Sequence, residues 1–319
     1  MRQLQLRSRS LKRCFSYEEI RTATNGFHQD NLVGRGGYAE VYRGVMQNGE
    51  VIAVKRLTQA ATDEQKEKDF LTELGTIGHV RHPNVSCLLG CCVDRELYLI
   101  FEFSSRGSVS SNLHDENLAP MAWKLRFEIA VGTARGLQYL HKGCQRRIIH
   151  RDIKTSNVLL TSNFVPQISD FGLARWLPKE WTHRAVAPIE GTFGCLAPEY
   201  FTHGIVDEKP TCSRSECFSW NSYQEETMMA CGSIGGSAAR RRRQLRRRAA
   251  EALTFVAALC IRASATWRPS MTEVLELLED GEISQERWKM PEEEEDEFWG
   301  FDDLDDDHEF DTPLHLHHL

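Results

Sequence analysis

The 319-residue sequence contains no run of about 18 apolar residues, the least that crosses a bilayer as a helix. No transmembrane segment is expected, and the apolar stretch Leu253 to Ile261 is too short to be one. The amino terminus has scattered Arg and Lys but no apolar core, so a secretory signal is not expected either. Glycine does not follow Met1, which argues against N-myristoylation. Zinc-type spacing is also missing. Cys212, Cys217 and Cys231 have no histidines placed to complete a site. In a chain without secretory features, the ten cysteines read as reduced cytosolic thiols. Cys91-Cys92 read as small apolar residues packed inside.

Charge is unevenly spread around the net −7. Glu292 to Glu297 and Asp302 to Asp307 make an acidic tail, and Arg240 to Arg248 make a basic run. Both fit solvated, disordered segments. The tail could also fold back on basic surface or repel anionic partners. The basic run has the composition of a nuclear-localisation or anionic-membrane patch. No nucleic-acid partner is expected.

The densest chemistry lies in His150-Arg151-Asp152-Ile153-Lys154-Thr155-Ser156-Asn157, followed by Asp170-Phe171-Gly172. That spacing suits phosphoryl transfer. Asp152 can accept the proton of an attacking hydroxyl. Lys154 can neutralise charge on the transferring phosphoryl group. Asn157 and Asp170 can hold Mg²⁺ against ATP phosphates. The stretch resembles protein kinases.

Upstream, Val33-Gly34-Arg35-Gly36-Gly37-Tyr38-Ala39-Glu40-Val41 follows a kinase glycine-rich loop, with Ala39 in place of the third glycine. Glycines let backbone N–H groups approach phosphates unhindered, although glycine clusters also make ordinary turns. Asn48-Gly49 signals a two-residue hairpin between Val41–Met46 and Val51–Val54. The hairpin delivers Lys55 at the end of Ile52-Ala53-Val54-Lys55. A helix is expected from Thr62, with Gln65 completing a capping box. Phe70, Glu73, Leu74 and Ile77 share one face of it. An unpaired Glu73 on that apolar face would be costly, and pairing it with Lys55 removes the difficulty. Leu97 to Phe103 reads as a buried strand.

The kinase resemblance implies an α+β, two-lobed fold with a β-rich lobe holding one key helix and a mainly helical lobe. It implies an ATP site built from Val33, Gly34, Arg35, Gly36, Gly37, Tyr38, Ala39, Val41, Ala53, Lys55, Glu73, Phe101, Glu102 and Phe103. In that picture Phe101 narrows the pocket behind adenine, and the backbone from Glu102 to Ser104 binds the base. Trp123 to His141 has helical spacing through Phe127, Ala130, Ala134 and Leu137, and would support the catalytic loop. Lys154 two residues after Asp152 implies serine/threonine specificity. Arg151 suggests a basic pocket for a phosphate. Thr192 aligns with a residue near the substrate, which leaves Thr182 as the phosphorylation candidate. Glu199 in Ala197-Pro198-Glu199 would pair with Arg268 in Trp267-Arg268-Pro269. A second capping box is expected at Ser270 and Glu273.

Phe15-Ser16-Tyr17-Glu18-Glu19-Ile20, Ala23-Thr24-Asn25-Gly26-Phe27 and the run Gly191 to Tyr200 resemble plant receptor-like cytoplasmic kinases. Phe70 to Pro83 and the acidic tail after Trp288 resemble the class VI, Rho-GTPase-binding branch. That resemblance implies protein substrates, a plant Rho-type GTPase partner, and a cytoplasmic location that leaves peripheral plasma-membrane attachment open.

After Lys209 the resemblance breaks. A kinase supplies an aspartate and a very apolar helix there, whereas Pro210 to Asn221 reads PTCSRSECFSWN and has no helical apolar stripe. Codons shifted to begin on the third base of each visible one, from Pro210 onward, permit D-V-F-A-F-G-V-L-L-L-E-L-V. That is the missing helix with its aspartate. A segment from Pro210 to about Glu226 is therefore expected to be a frame-shifted translation, with the frame restored before Leu253. On that view the arginine run is a by-product of GC-rich codons.

The expected organisation is a basic tail over 1–14, the first lobe and hinge over 15–104, and the second lobe over 105–209. A divergent insert follows over 210–252, then terminal helices over 253–281 and the acidic tail over 282–319. The functional expectation is an ATP-dependent serine/threonine kinase. The alternatives are a catalytically impaired nucleotide- or partner-binding protein and a defective gene product.

Overall fold

The computed structural model describes residues 13–36, 39–58, 62–115, 117, 119–178, 183–185, 197–203, 205–207, 250, 252–262, 264–279 and 288. The chain divides into two compact units. The first holds the chain up to Leu118 together with Ser156–Trp176, and the second holds Ala119–Thr155 and the chain from Leu177. The architecture is α+β, a β-rich unit and a mainly helical one.

In the first unit the described residues form a six-stranded sheet, in the order β1-β5-β6-β4-β3-β2. The strands are β1 (Arg13–Cys14), β2 (Leu32–Arg35), β3 (Ala39–Val45), β4 (Val51–Leu57), β5 (Leu88–Cys92) and β6 (Tyr98–Glu102). The β3–β4 hairpin uses three loop residues rather than the expected two. Met46 N–H donates to the Glu50 carbonyl and Gly49 N–H to the Met46 carbonyl, with Gly49 at φ 82°. That is a turn closed by a left-handed residue, which glycine adopts without strain.

Helix α1 (Tyr17–Ala23) is capped by Ser16, which accepts from Glu19 N–H while Glu19 Oε2 accepts from Ser16 N–H at 2.9 Å. The helix covers the sheet face formed by Ile52, Val54, Tyr98 and Ile100. Phe27 stacks on Tyr98, with ring centroids 5.5 Å apart, and meets Tyr42 edge-on at 5.4 Å. Two glycines make this docking possible. A Cβ on Gly44 would press on Ile52 at 3.1 Å and on Ala23 of α1 at 3.3 Å. A Cβ on Gly90 would overlap the Arg13 carbonyl oxygen of β1. Gly90→Ala is therefore expected to peel β1 from β5. The cost is about 1–3 kcal/mol, with faster hydrogen exchange at Phe15 N–H, which donates to the Cys91 carbonyl. Gly44→Ala is expected to cost less, because its neighbours are side-chain atoms that can give way.

Helix α2 (Asp63–Ile77) starts at Thr62, whose hydroxyl accepts from Gln65 N–H at 3.3 Å. Only half of the expected capping box forms. The Gln65 amide turns away and donates to Asp69 Oδ1 at 2.7 Å. Phe70, Glu73 and Ile77 are buried, and Leu74 is half-buried at the edge of that face. The hairpin of β7 (Val158–Leu160) and β8 (Pro166–Ile168) completes the unit. Asn84 Nδ2 donates to the Pro166 carbonyl, and the Ser104 hydroxyl donates to Gln167 Oε1 at 2.8 Å.

In the second unit α3 (Trp123–Gln138) runs into a wider turn at Tyr139–Gly143. Its buried face is Arg126, Ile129, Val131, Ala134 and Leu137, whereas Phe127 and Ala130 lie at its margin. Ala134 and Leu137 of the expected stripe are therefore buried, and Arg126 turns inward to donate from Nε to the Met121 carbonyl at 2.7 Å. Helix α4 (252–260) buries Leu253, Val256 and Leu259. Helix α5 (Met271–Glu279) begins with the full capping box of Ser270 and Glu273. It packs on α3, with Arg135 forking onto Glu279 Oε1 at 2.7 and 3.0 Å. The segments 1–12, 208–249 and 289–319 lie outside the described residues, and so do Cys212, Cys217, Cys231, the arginine run and the acidic tail. Among the described residues, no helix is long and apolar enough to cross a membrane.

Candidate active site

Lys55 sits on a central strand, opposite Val41 of β3 and Leu99 of β6. Side chains alternate along a strand, so Lys55 shares its face with Ala53, Val41 and Phe101, away from the face under α1. Its Nζ lies 2.7 Å from Glu73 Oε2 and 2.8 Å from Asp170 Oδ1. The pairing inferred from an awkward carboxylate on α2 is present, and Asp170 joins it. Burial works against the ammonium charge, but the Asp170 and Glu73 carboxylates more than offset it and hold the Lys55 pKa above its usual value. Burial pushes the Glu73 carboxyl upward and the charge of Asp170 adds to this, with Lys55 opposing. Two carboxylates around one ammonium leave an excess negative charge, and the Asp170 side chain is half exposed.

Asp170 has φ 64°, a left-handed conformation that a short polar side chain tolerates but that still costs energy. The preceding residue shows how it is held. Ser169 donates both N–H and Oγ–H to the Asn157 carbonyl, at 2.8 and 2.9 Å. The two candidate metal ligands, Asn157 and Asp170, are thereby tied to one clamp within the first unit. Both present hard oxygen donors, which suit Mg²⁺. Ser169 was not singled out in the sequence, and it carries no local pattern beyond adjoining Asp170.

The described part of the glycine-rich segment lies in β2, at Gly36 and in β3. Gly36 N–H donates to the Ala39 carbonyl at 2.9 Å, and Arg35 meets Glu40 at 3.1 Å. Val33 is exposed at a bulge between Leu32 and Gly34. A Cβ on Gly34 or Gly36 would meet nothing closer than 3.8 Å. Packing therefore does not demand these glycines. Gly37 and Tyr38 lie outside the described residues. Phe101 pairs with Ala53 and Leu88 and is partly buried. Glu102 N–H donates to the Cys87 carbonyl, and Phe103 lies under the Arg43 guanidinium at 5.9 Å.

In the second unit Asp152 is buried, and its N–H donates to His150 Nδ1 at 3.3 Å. Lys154 Nζ lies 3.2 Å from Asp152 Oδ2. Arg151, at φ 72°, reaches the Tyr200 hydroxyl and lies over that ring at 4.9 Å. The fully buried Arg268 pairs with Glu199, joining two residues far apart in sequence. Thr182 and Thr192 lie outside the described residues.

The first unit thus holds an ion-paired lysine with a clamped aspartate and asparagine, and the second a buried aspartate beside a lysine. Residues 27–278 match the family model described as protein tyrosine and serine/threonine kinase, and the chain belongs to that family. It is 46% identical over 302 residues to a probable receptor-like serine/threonine-protein kinase of Arabidopsis thaliana, covering 88% of this chain and 52% of the relative. It is 45% and 43% identical to the receptor-like cytosolic serine/threonine-protein kinases RBK2 and RBK1 of the same plant. Those alignments cover 83% and 84% of this chain, and 61% and 62% of the relatives. The chain thus spans between half and two thirds of the length of these relatives.

Proposed function

We propose that the chain is an ATP-dependent serine/threonine protein kinase of the receptor-like cytoplasmic type, acting in the cytoplasm of plant cells. The carrying observation is the ammonium of Lys55 held between the carboxylates of Glu73 and Asp170. Lys55 orients the α- and β-phosphates of ATP, and Glu73 fixes Lys55. The backbone around Gly34 and Gly36 covers the phosphates, and Glu102 to Ser104 bind adenine. Asn157 and Asp170 hold Mg²⁺, which supplies neutralisation of phosphate charge. Asp152 orients the attacking serine or threonine hydroxyl and takes its proton as the oxygen bonds to the γ-phosphorus and ADP leaves. Lys154 balances charge on the group in transfer. Thr182 is the candidate phosphorylation site, and Arg151 the candidate partner of a phosphate. The class VI resemblance adds a plant Rho-type GTPase as partner, which a binding measurement with the GTP-loaded GTPase tests directly.

The test is phosphotransfer from Mg²⁺-ATP to dephosphorylated casein. Asp152→Asn is expected to lower the rate by about 10²–10⁴-fold, while ATP still raises the melting temperature. Label on tyrosine, or an unchanged rate in the variant, overturns the reading.

A second reading has its own observation. The sequence from Pro210 lacks the apolar stripe and aspartate that the family places there. A chain without them keeps nucleotide binding in its first unit and loses phosphotransfer. Thermal stabilisation by ATP with no label on casein selects this reading.

A further inference from the structure

The edge of the six-stranded sheet holds a cysteine pair that the proposed chemistry does not use. β1 runs parallel to β5, and the register sets Cys14 directly opposite Cys91. Paired strands lie about 4.8 Å apart, inside the Cα separation of about 4.4–6.8 Å that a disulfide spans. Cys14 is exposed and Cys91 is half-buried. This corrects the expectation that Cys91 and Cys92 both pack inside. Alternation along β5 sends only Cys92 into the core, with Phe15, Ile20 and Tyr98, and leaves Cys91 facing Cys14. Neighbouring glycine backbone at position 90 lets β1 approach closely enough for the pair to meet.

We propose that Cys14 and Cys91 form a hydroperoxide-responsive dithiol, whose oxidation locks the amino-terminal segment onto the sheet. Cys14 reacts first because it is the exposed member. Its thiolate sulfur attacks the O–O bond of hydrogen peroxide. An S–O bond forms, the O–O bond breaks, and one oxygen leaves as water. Sulfur loses two electrons to the peroxide. The Cys91 sulfur then attacks the sulfenic sulfur of Cys14. The S–S bond forms, the S–O bond breaks, and the departing hydroxide leaves as water with the Cys91 proton. The net change is two thiols and one peroxide giving one disulfide and two waters. A dithiol reductant reverses it.

The consequence is mechanical. β1 leads through Phe15 and the Ser16 cap into α1, and α1 covers the sheet face opposite Lys55. A covalent tie at Cys14 removes the motion by which this cover would peel away.

The test uses the full chain, reduced, desalted, treated with hydrogen peroxide and quenched with N-ethylmaleimide. Unreduced digestion and mass spectrometry then read every linked cysteine pair. The Cys14–Cys91 peptide is expected to exceed every other pair at least about tenfold, since the fold holds the two thiols together. The same treatment in 8 M urea is expected to erase that preference. A yield that urea leaves unchanged, or another pair dominating without urea, overturns the proposal. Oxidation is also expected to slow hydrogen exchange over residues 13–23 in the parent chain and not in Cys14→Ser or Cys91→Ser. Equal exchange in oxidised and reduced parent chains would show that the bond holds nothing in place, and would sink the locking role.

Discussion

A variant in which residues 210–222 read D-V-F-A-F-G-V-L-L-L-E-L-V is expected to unfold cooperatively and well above the temperature of the parent chain. The replaced string, PTCSRSECFSWNS, has no apolar repeat near 3.6 residues. It gives the second unit no apolar stripe to bury. The restored string carries roughly eight large apolar side chains, each worth about 1.5–3 kcal/mol when fully buried. The gross gain is then on the order of 10–20 kcal/mol, against a net stability of about 5–15 kcal/mol for a whole domain. A change of that size outweighs any single substitution in this chain. Calorimetry of the two proteins checks it, and phosphotransfer is expected to rise along with stability. Equal melting profiles would mean that the visible string does the work of the family helix. The transcript across Lys209 to Leu253 offers an independent check, because an unshifted reading frame would remove the premise.

The parts of the site that were legible in the sequence were those where two local oddities explained each other. Glu73 fell on an apolar helix face, and Lys55 ended an apolar strand. Neither position makes sense unpaired, so the ion pair followed without coordinates. Arg268 and Glu199 were legible only through the family resemblance, since nothing near either residue points to the other. Local punctuation was read in outline and missed in detail. Asn48-Gly49 gave the turn but not its third residue, and Thr62 gave the helix start but not the choice Gln65 makes for Asp69. At the helix start Asp69 competes for the Gln65 amide, and sequence spacing does not rank the two partners. The docking of α1 was not legible. Gly44 and Gly90 look like ordinary strand glycines until the chain brings Ala23 and Arg13 against them. Their role arises from contacts between distant segments. The Ser169 clamp belongs to the same class, because it depends on backbone direction at Asn157 rather than on residue type.

Lys55→Met is expected to damage stability and chemistry together, and the pH dependence separates this from simple loss of packing. Methionine replaces the stem but not the charge. Glu73, 2% exposed, then faces Asp170 with no cation between them. Removing one partner of a buried ion pair costs about 3–5 kcal/mol. The pKa of Glu73 is already raised by burial, and without Lys55 it rises further. A carboxyl whose folded pKa exceeds its unfolded one binds protons more readily in the folded state, so stability grows as pH falls. The deficit of the variant is therefore expected to be larger at pH 8 than at pH 5. The parent, with Lys55 charged throughout that range, should show much less of this trend. Urea titrations at the two pH values give the comparison. Phosphotransfer should fall by about 10²–10³-fold, the scale for deleting one group that stabilises developing charge. The glycine-rich segment and Asn157 would be untouched, so residual ATP binding is expected to survive. If the variant matched the parent in stability at both pH values and in rate, Lys55 would be a surface lysine with two incidental neighbours.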